Sequence, residues 1–167
     1  MKMGIRILKY FMISGLIIAI SSCNENNKRS AREETAKIEE YLASNSSLNF
    51  DLKASGLYYL ELESGNGLPA NAHDTAYVFY TVTLLDGTEL DSNVGTVDTL
   101  IFPVNEGYLI SGFDEGVTYM KEGGKAMFLV PSSLAYGTTG DYYGSISGYT
   151  PLLFNVILSR VKPGPGE

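Results

Sequence analysis

The 167-residue chain contains one cysteine, one histidine and no tryptophan. A single cysteine has no partner for an internal disulfide, and one cysteine with one histidine cannot supply the four ligands of a usual zinc site. We therefore expect no metal and no other cofactor. The histidine, His73, falls in a loop-like stretch, and we interpret it as a surface residue rather than as a ligand or base.

Basic residues are also scarce, with 12 Lys and Arg against 19 Asp and Glu and a formal net charge of −7. Three of the basic residues, Lys2, Arg6 and Lys9, stand before an apolar run at the start of the chain. The remainder is acidic and has no basic stripe. We therefore exclude nucleic acid as a partner and expect no electrostatic attraction to anionic lipid.

The apolar run at residues 10–20 has the length of a signal-peptide core and is too short to favour a membrane span. It ends in Ile20-Ser21-Ser22-Cys23, which resembles a bacterial lipobox. The alternative is an ordinary signal peptide followed by an incidental cysteine. Because a lone cysteine in an exported chain has no disulfide partner, we predict a lipoprotein signal peptide at residues 1–22 and lipidation of Cys23.

Composition divides the rest of the chain into three parts. Residues 23–49 are predicted to form a polar tether that contains a short helix at 31–43, which we interpret as a spacer or a dimer arm. Residues 50–162 are long enough for one compact core and are predicted to form a single domain. Proline and glycine alternate near the end, which predicts a disordered tail at 163–167.

The domain has the pattern of a small antiparallel sheet. Alternation of apolar and polar residues and enrichment in β-branched and aromatic residues predict five or six strands. The corresponding segments are 57–63, 77–85, 88–92, 98–104, 126–130 and 152–161. Asp86-Gly87 is typical of a hairpin turn between the second and third of these segments.

One short helix interrupts the strands. Ile110, Phe113, Val117 and Met120 recur at helical spacing and form one apolar face, with Asp114 expected on the opposite side. The fold class is therefore α+β. A helix packed on a sheet, beside the loop that contains an aromatic residue at position 136, would form a small apolar bowl. The same pattern would also arise from ordinary core residues.

Several short motifs follow one another in a fixed order between residues 76 and 161. They are Val78-Phe79-Tyr80, Leu84-Leu85-Asp86-Gly87, Leu90-Asp91-Ser92, Ile110-Ser111-Gly112-Phe113-Asp114-Glu115-Gly116, Leu134-Ala135-Tyr136-Gly137 and Leu152-Leu153-Phe154. In this order and spacing the chain resembles the FKBP family of peptidyl-prolyl cis-trans isomerases. The resemblance implies a curved antiparallel sheet wrapped around one short helix, with a pocket for a prolyl ring between them.

The resemblance also implies the residues of that pocket. Phe113 would form the floor, where the family usually has tryptophan, and Asp91, Tyr136 and Tyr80 would join it as catalytic residues. Substrate contacts would come from Leu90, Leu100, Leu109, Ile110, Ile146 and Phe154. The backbone amide of Ile110 would be a further polar group. We expect Asp91 to be a partly buried carboxylate held by tyrosine hydroxyls; the alternatives are a structural carboxylate at Asp91 and a core aromatic residue at Tyr136.

The chain departs from the family at several pocket positions. Leu90 replaces a usual phenylalanine, and the prolines that are usual near Ile146 are absent. Asp141, Tyr142 and Tyr143 stand where many members have a histidine, and we expect them to overhang the groove and change sequence preference. These departures weaken the case for a high catalytic rate and for binding of macrolide inhibitors more than they weaken the case for the fold.

The sequence therefore predicts a lipid-anchored prolyl isomerase that helps exported proteins to fold. Its partners would be extended proline-containing polypeptides, and its location the bacterial cell envelope, facing the periplasm from the outer membrane. Asn24 supports that location, because the residue after the cysteine is not the aspartate that acts as a retention signal in some bacterial lipoproteins. The alternative is a non-catalytic module that binds a proline-containing partner in a secretion or gliding assembly. A third interpretation is a lipoprotein that shares only the fold.

Overall fold

The structure is a computed structural model that describes residues 25–165. The predicted signal peptide and the predicted lipidation site at Cys23 lie outside the described residues. Helix α1 covers residues 25–44, helix α2 covers Ser111–Thr118, and a 3-10 helix covers Ser132–Leu134. Within the described range the seven strands are β1 (Asp51–Leu52), β2 (Tyr58–Glu63), β3 (Thr75–Thr83), β4 (Glu89–Ser92), β5 (Leu100–Pro103), β6 (Lys125–Val130) and β7 (Leu152–Lys162).

The strands of the described chain form one antiparallel sheet in the order β1-β2-β6-β7-β3-β4, and β5 also pairs with β3. Strand β3 changes partner along its length: Thr75–Val78 pair with β5, and Thr81–Thr83 pair with β4. The predicted α+β architecture is confirmed, with seven strands between residues 25 and 165 instead of five or six. The additional strand, β1, has only two residues, too few for a periodic signal.

The main core lies between α2 and one face of the sheet, which we call the α2 face. Phe113 of α2 and Phe128 of β6 are both buried in it. Two glycines of α2 permit this close approach, since a Cβ atom on Gly116 would lie 2.6 Å from the Phe128 ring and one on Gly112 would lie 2.5 Å from Cγ1 of Val130. The glycines therefore set the distance between helix and sheet.

Asp114, which was predicted on the side of α2 opposite its apolar face, is buried. Its Oδ1 accepts a hydrogen bond from the Asn105 N–H at 2.6 Å, and its Oδ2 accepts one from the Gly107 N–H at 3.1 Å. The loop between β5 and α2 folds back over the helix and covers this carboxylate. Asp114 thereby fixes the loop that leads into α2.

Helix α1 packs on the opposite face of the sheet, which we call the α1 face. Ile38 is buried there against Leu129 and Leu153. Residues 25–30, predicted as tether, are helical, which corrects that prediction. The helix that was interpreted as a spacer or a dimer arm lies against the domain, because its apolar side covers the sheet. This packing is not that of a spacer, and the dimer arm stays a prediction. No helix between residues 25 and 165 is both long and apolar enough to cross a membrane.

Part of the predicted tail is ordered. The Gly164 N–H donates to Oδ1 of Asp74 at 2.9 Å. The other carboxylate oxygen of Asp74 accepts the Asn71 N–H, also at 2.9 Å. The prediction of a disordered tail at 163–167 is therefore wrong as far as Gly164. Residues 166 and 167 lie outside the described part of the chain.

Gly116→Ala tests the contact between α2 and the sheet. The added methyl group would lie 2.6 Å from the Phe128 ring. We expect the free energy of unfolding to fall by about 1–3 kcal/mol, the usual cost of overpacking a core, although alanine favours the helix by about 1 kcal/mol over glycine. Urea denaturation followed by circular dichroism measures this change.

The matched control for this prediction is the double variant Gly116→Ala with Phe128→Leu. Because the smaller side chain relieves the overlap, the double variant should be destabilised by less than the sum of the two single variants. A Gly116→Ala protein that is as stable as the wild type would show that the helix does not need this close approach.

Candidate active site

A cavity of about 440 Å³ opens between α2 and the α2 face of the sheet. Its lining includes all ten residues that were predicted to form the prolyl pocket: Tyr80, Leu90, Asp91, Leu100, Leu109, Ile110, Phe113, Tyr136, Ile146 and Phe154. They come from four strands, from α2 and the loop before it, and from the segment between β6 and β7. The structure thus gathers them around one space, while their roles in catalysis remain predictions.

Phe113 forms the floor of the cavity and is held by other aromatic rings. Its ring centroid lies 5.1 Å from that of Phe154, 5.9 Å from those of Phe102 and Phe128, and 6.0 Å from that of Tyr80. The pairs with Tyr80, Phe128 and Phe154 are edge-to-face, an arrangement that contributes about 0.5–1.5 kcal/mol per pair beyond the buried area. The floor is therefore rigid and apolar, and it carries no hydrogen-bond donor.

Asp91 lies at the rim of the cavity on β4. Its Oδ2 accepts a hydrogen bond from the Tyr80 hydroxyl at 2.5 Å, and its Oδ1 accepts one from the Ser92 N–H at 2.8 Å. The structure corrects two details of the prediction. The residue is exposed rather than partly buried, because β4 is an edge strand, and one tyrosine hydroxyl holds the carboxylate instead of several.

Tyr80 is an unusually weak acid in this setting. Burial raises the pKa of its hydroxyl to about 12, and the hydrogen bond to Asp91 and the charge of that carboxylate act in the same direction. Tyr80 is therefore a neutral hydrogen-bond donor throughout the physiological pH range. It fixes the orientation of the Asp91 carboxylate at the rim.

Asn93 supports the part of β3 that carries Tyr80. Its Oδ1 accepts the Tyr80 N–H at 2.7 Å, and its Nδ2 donates to the carbonyls of Val78 and Asp98, each at 3.1 Å. Two of these bonds satisfy backbone groups of β3 where β4 has ended and β5 has not begun, and the third holds the loop before β5. Asn93 falls between the predicted strand segments 88–92 and 98–104, and asparagine is a common residue for such backbone contacts.

Two further polar groups, the Ile110 N–H and the Tyr136 hydroxyl, belong to the cavity lining. Ile110 is the N-cap residue of α2, and no side chain caps this helix. Among the described residues we find no protein acceptor for the Ile110 N–H. Tyr136 follows the 3-10 helix and is 39% exposed. Ile110 and Tyr136 thus add two hydrogen-bond donors to the residues that line the cavity.

The loop between Tyr136 and β7 is tied together by Asp141. Its Oδ1 accepts the Ile146 N–H at 2.5 Å, and its own N–H donates to the Ile146 carbonyl at 2.9 Å. Ile146 reaches the cavity wall, whereas Tyr142 and Tyr143 are 95% and 87% exposed. None of Asp141, Tyr142 and Tyr143 lines the cavity, which corrects the prediction that they overhang it. Asp141 is instead a turn residue.

Four lining residues were not predicted: Val82, Tyr108, Ser145 and Leu152. Val82 lies two residues after Tyr80, and Leu152 two residues before Phe154. Because side chains two apart on a strand share a face, alternation could have identified both. Tyr108 and Ser145 lie on exposed loops, where no periodicity exists to reveal them.

His73 lies away from this cavity. It is exposed, as interpreted from the sequence, and its Nδ1 contacts Oε1 of Glu106. Within residues 25–165, no group of three or more His, Cys, Asp or Glu side chains is arranged to hold a metal ion.

The described cavity can enclose a compact apolar ring and offer hydrogen bonds to the carbonyls on either side of it.

Comparison with known proteins agrees with this geometry. The sequence model of the family described as FKBP-type peptidyl-prolyl cis-trans isomerase matches residues 67–159. The chain is 40% identical over 135 residues to "FKBP-type peptidyl-prolyl cis-trans isomerase FkpA" of Aeromonas hydrophila, which covers 80% of this chain and 49% of the relative. It is 34% identical over 139 residues to "Outer membrane protein MIP" of Legionella longbeachae, which covers 83% of this chain and 58% of the relative.

A solved structure is similar over nearly the whole chain. The crystal structure of FkpA from Escherichia coli matches with a TM-score of 0.72 and 30% sequence identity, covering 98% of this chain and 76% of that chain. The chain spans about half the length of the curated relatives it matches.

The titration of Tyr80 tests the contact at the rim. We expect a pKa of about 12 for this residue, against about 10 for an unperturbed tyrosine. Because the folded pKa is raised, the folded state should be fully stabilised below pH 10 and lose stability as the pH rises from about 10 towards 12. Carbon-13 NMR of labelled tyrosine, assigned with Tyr80→Phe, measures the pKa.

The matched variant for this titration is Asp91→Asn. It removes the negative charge and weakens the hydrogen bond, so the pKa of Tyr80 should fall part of the way towards 10, with the contribution of burial retained. A Tyr80 pKa that is unchanged by Asp91→Asn would rule out the contact as a cause of the shift.

Proposed function

Because the chain belongs to the family of FKBP-type peptidyl-prolyl cis-trans isomerases, we propose that it accelerates rotation about the peptide bond that precedes proline. The observation that carries the proposal is the single cavity that Phe113, Tyr136 and Asp91 share. An apolar floor, a hydroxyl and a carboxylate around one space are the groups that such a reaction can use.

The reaction needs no bond to be broken. Rotation about an X-Pro bond crosses a barrier of about 18–20 kcal/mol and takes tens to hundreds of seconds without a catalyst. The barrier arises from the partial double-bond character of the C–N bond. Twisting removes this resonance and lowers the charge on the carbonyl oxygen. The twisted amide therefore loses less hydration free energy than the planar amide when it moves from water into the cavity. An apolar cavity therefore favours the twisted state.

Binding of the segments around the proline would restrict motion to the bond that rotates. The prolyl ring would pack on Phe113, while the Ile110 N–H and the Tyr136 hydroxyl would each donate to a carbonyl of the peptide. A hydrogen bond of this kind contributes about 0.5–1.5 kcal/mol. With the ring and the flanking carbonyls held, the amide between them would still be free to turn.

Asp91 would act on the amide through its charge. The Tyr80 hydroxyl and the Ser92 N–H fix both of its carboxylate oxygens, so the charge is oriented before substrate arrives. We propose that it stabilises the dipole of the twisted amide and that Tyr80 positions it. The alternative, a carboxylate that only supports β4, would leave turnover unchanged when the charge is removed.

We also propose that the protein is anchored to a membrane through a lipid on Cys23 and acts on proline-containing segments of exported proteins. The signal-like stretch at residues 1–22 and the lipobox-like Ile20-Ser21-Ser22-Cys23 support this proposal. A relative named "Outer membrane protein MIP" is consistent with a place in the cell envelope, facing the periplasm from the outer membrane.

A second function is favoured by the smaller floor and the open rim. Phe113 stands where the family usually has the larger tryptophan, and Asp91 is exposed to solvent. A cavity of this kind could bind a proline-containing partner without accelerating rotation. The protein would then be a non-catalytic module of an envelope assembly, of a secretion or gliding type.

Catalysis is tested with short X-Pro peptides that carry an apolar residue before proline, in a protease-coupled assay. The wild type should exceed the uncatalysed rate. Asp91→Asn should lower kcat/KM by about ten- to a hundredfold, because a hydrogen bond to a charged group contributes about 1.5–3 kcal/mol and each 1.36 kcal/mol corresponds to a factor of ten in rate.

Asp98→Asn is the matched control, since Asp98 is also an exposed carboxylate near β4 but its side chain does not line the cavity. It should retain the wild-type rate. If the wild type shows only the background rate while it melts cooperatively and still binds the peptides, the catalytic proposal is wrong and the binding module stands.

The lipid anchor has its own test. Cys23→Ser should move the protein from the membrane fraction to the soluble fraction and abolish its partition into a detergent phase, because a thioether-linked lipid cannot form on serine. Ser22→Ala is the control and should leave the protein on the membrane. Retention of Cys23→Ser on the membrane would disprove anchoring through this residue.

A further inference from the structure

We propose that Glu34 of helix α1 is a positioning residue for Tyr136 and acts on it through Ser132. The inference rests on the proposed function of Tyr136 as a hydrogen-bond donor to substrate. Neither Glu34 nor Ser132 lines the cavity. Their hydrogen bonds nevertheless join α1 to the segment that carries Tyr136.

Both oxygens of the Glu34 carboxylate bind the same residue. Oε1 accepts the Ser132 N–H at 2.6 Å, and Oε2 accepts the Ser132 hydroxyl at 2.7 Å. Glu34 is 9% exposed and Ser132 is 4% exposed. Short hydrogen bonds to a charged acceptor are about twice as strong as neutral ones, so this pair fixes the first residue of the 3-10 helix.

Ser132 in turn fixes both neighbours of Tyr136. Its carbonyl accepts the Ala135 N–H at 2.9 Å and the Gly137 N–H at 2.8 Å. The 3-10 helix is also joined to α2, because the Ser111 hydroxyl donates to the Leu134 carbonyl at 3.3 Å. A displacement of Ser132 would therefore move the backbone on both sides of Tyr136.

A carboxylate at position 34 is not needed for packing alone. Ile38 lies one turn later on α1 and packs on the α1 face as an ordinary apolar contact. Burial of a carboxylate is costly unless it is hydrogen-bonded, and its removal would leave the buried Ser132 N–H without an acceptor. The carboxylate at position 34 is explained by its hydrogen bonds to Ser132, which hold the segment that leads to Tyr136.

The position of Tyr136 thus depends on the docking of α1 against the domain. None of the residues that line the cavity comes from α1, yet the helix supports one side of it through this contact. A change that displaces α1 from the sheet would leave the Tyr136 hydroxyl without a fixed position. It would not alter the floor at Phe113 or the rim at Asp91.

Three variants of the full-length protein test the inference by activity. Glu34→Ala should lower kcat/KM for X-Pro peptides by about two- to tenfold, the loss of one neutral hydrogen bond. Glu34→Gln should stay near the wild type, because its amide can still accept the Ser132 N–H and donate to the hydroxyl. Glu33→Ala is the control, since Glu33 is exposed and pairs with Arg29.

Glu34→Ala is also made in a Tyr136→Phe background. The comparison separates an effect through the Tyr136 hydroxyl from a general effect on the fold. If Glu34 acts through the Tyr136 hydroxyl, Glu34→Ala should add little to the loss caused by Tyr136→Phe. An equal fold-change in both backgrounds would overturn the proposal, since it would show that Glu34 does not act through that hydroxyl.

Amide NMR of the full-length protein without peptide gives a readout that does not depend on turnover. Glu34→Ala should shift the Ala135 and Gly137 amide signals and speed their exchange with solvent, while Glu33→Ala should not. Unchanged signals would overturn the proposal even in an inactive protein, whereas an inactive wild type would overturn only the proposed function. If Glu34→Ala does not fold, Ser132→Ala removes the hydroxyl contact and should shift the same two amides.

Discussion

The close packing of α2 on the sheet is the constraint on which the site depends. Gly112 and Gly116 let the helix backbone approach the strands, and Phe113, which lies between them in sequence, enters a cluster of aromatic rings. A helix of eight residues with two glycines has little stability of its own. Its position, and with it the floor of the cavity, is therefore determined by packing.

The polar groups around the cavity are held by hydrogen bonds from several elements of the fold. Tyr80 and Ser92 fix the Asp91 carboxylate, Asn93 fixes the backbone of Tyr80, and Glu34 reaches the segment of Tyr136 from α1. Groups that are oriented before substrate binds do not need to reorganise during the reaction, which strengthens their electrostatic effect. The fold thus combines a rigid apolar floor with polar groups that are already oriented above it.

The sequence predicted what depends on local pattern. Helical spacing identified the apolar side of helix α2 that carries Phe113, and strand alternation and turn residues identified the sheet. The family resemblance supplied ten residues that share the cavity. The sequence could not predict the burial of Glu34, because Glu34 and its partner Ser132 are 98 positions apart. The burial of Asp114 was missed because it arises where the irregular loop before α2 folds back onto the helix. The docking of α1 was missed because contacts between remote residues leave no periodic signal. The turn made by Asp141 is local, since its partner Ile146 is five residues away, but an irregular loop has no periodicity that would reveal it.

The central claim is that a proline bound on Phe113 rotates faster than in water. Exchange NMR is carried out on a peptide whose proline is labelled with carbon-13, with a small fraction of an equivalent of protein. It observes both the binding of the proline at Phe113 and the rotation of the bond before it. The account predicts nuclear Overhauser contacts between the prolyl ring and the Phe113 ring, together with cis-trans exchange peaks that the peptide alone does not give. Contacts to Phe113 without faster exchange, or exchange with the proline bound elsewhere, would contradict it.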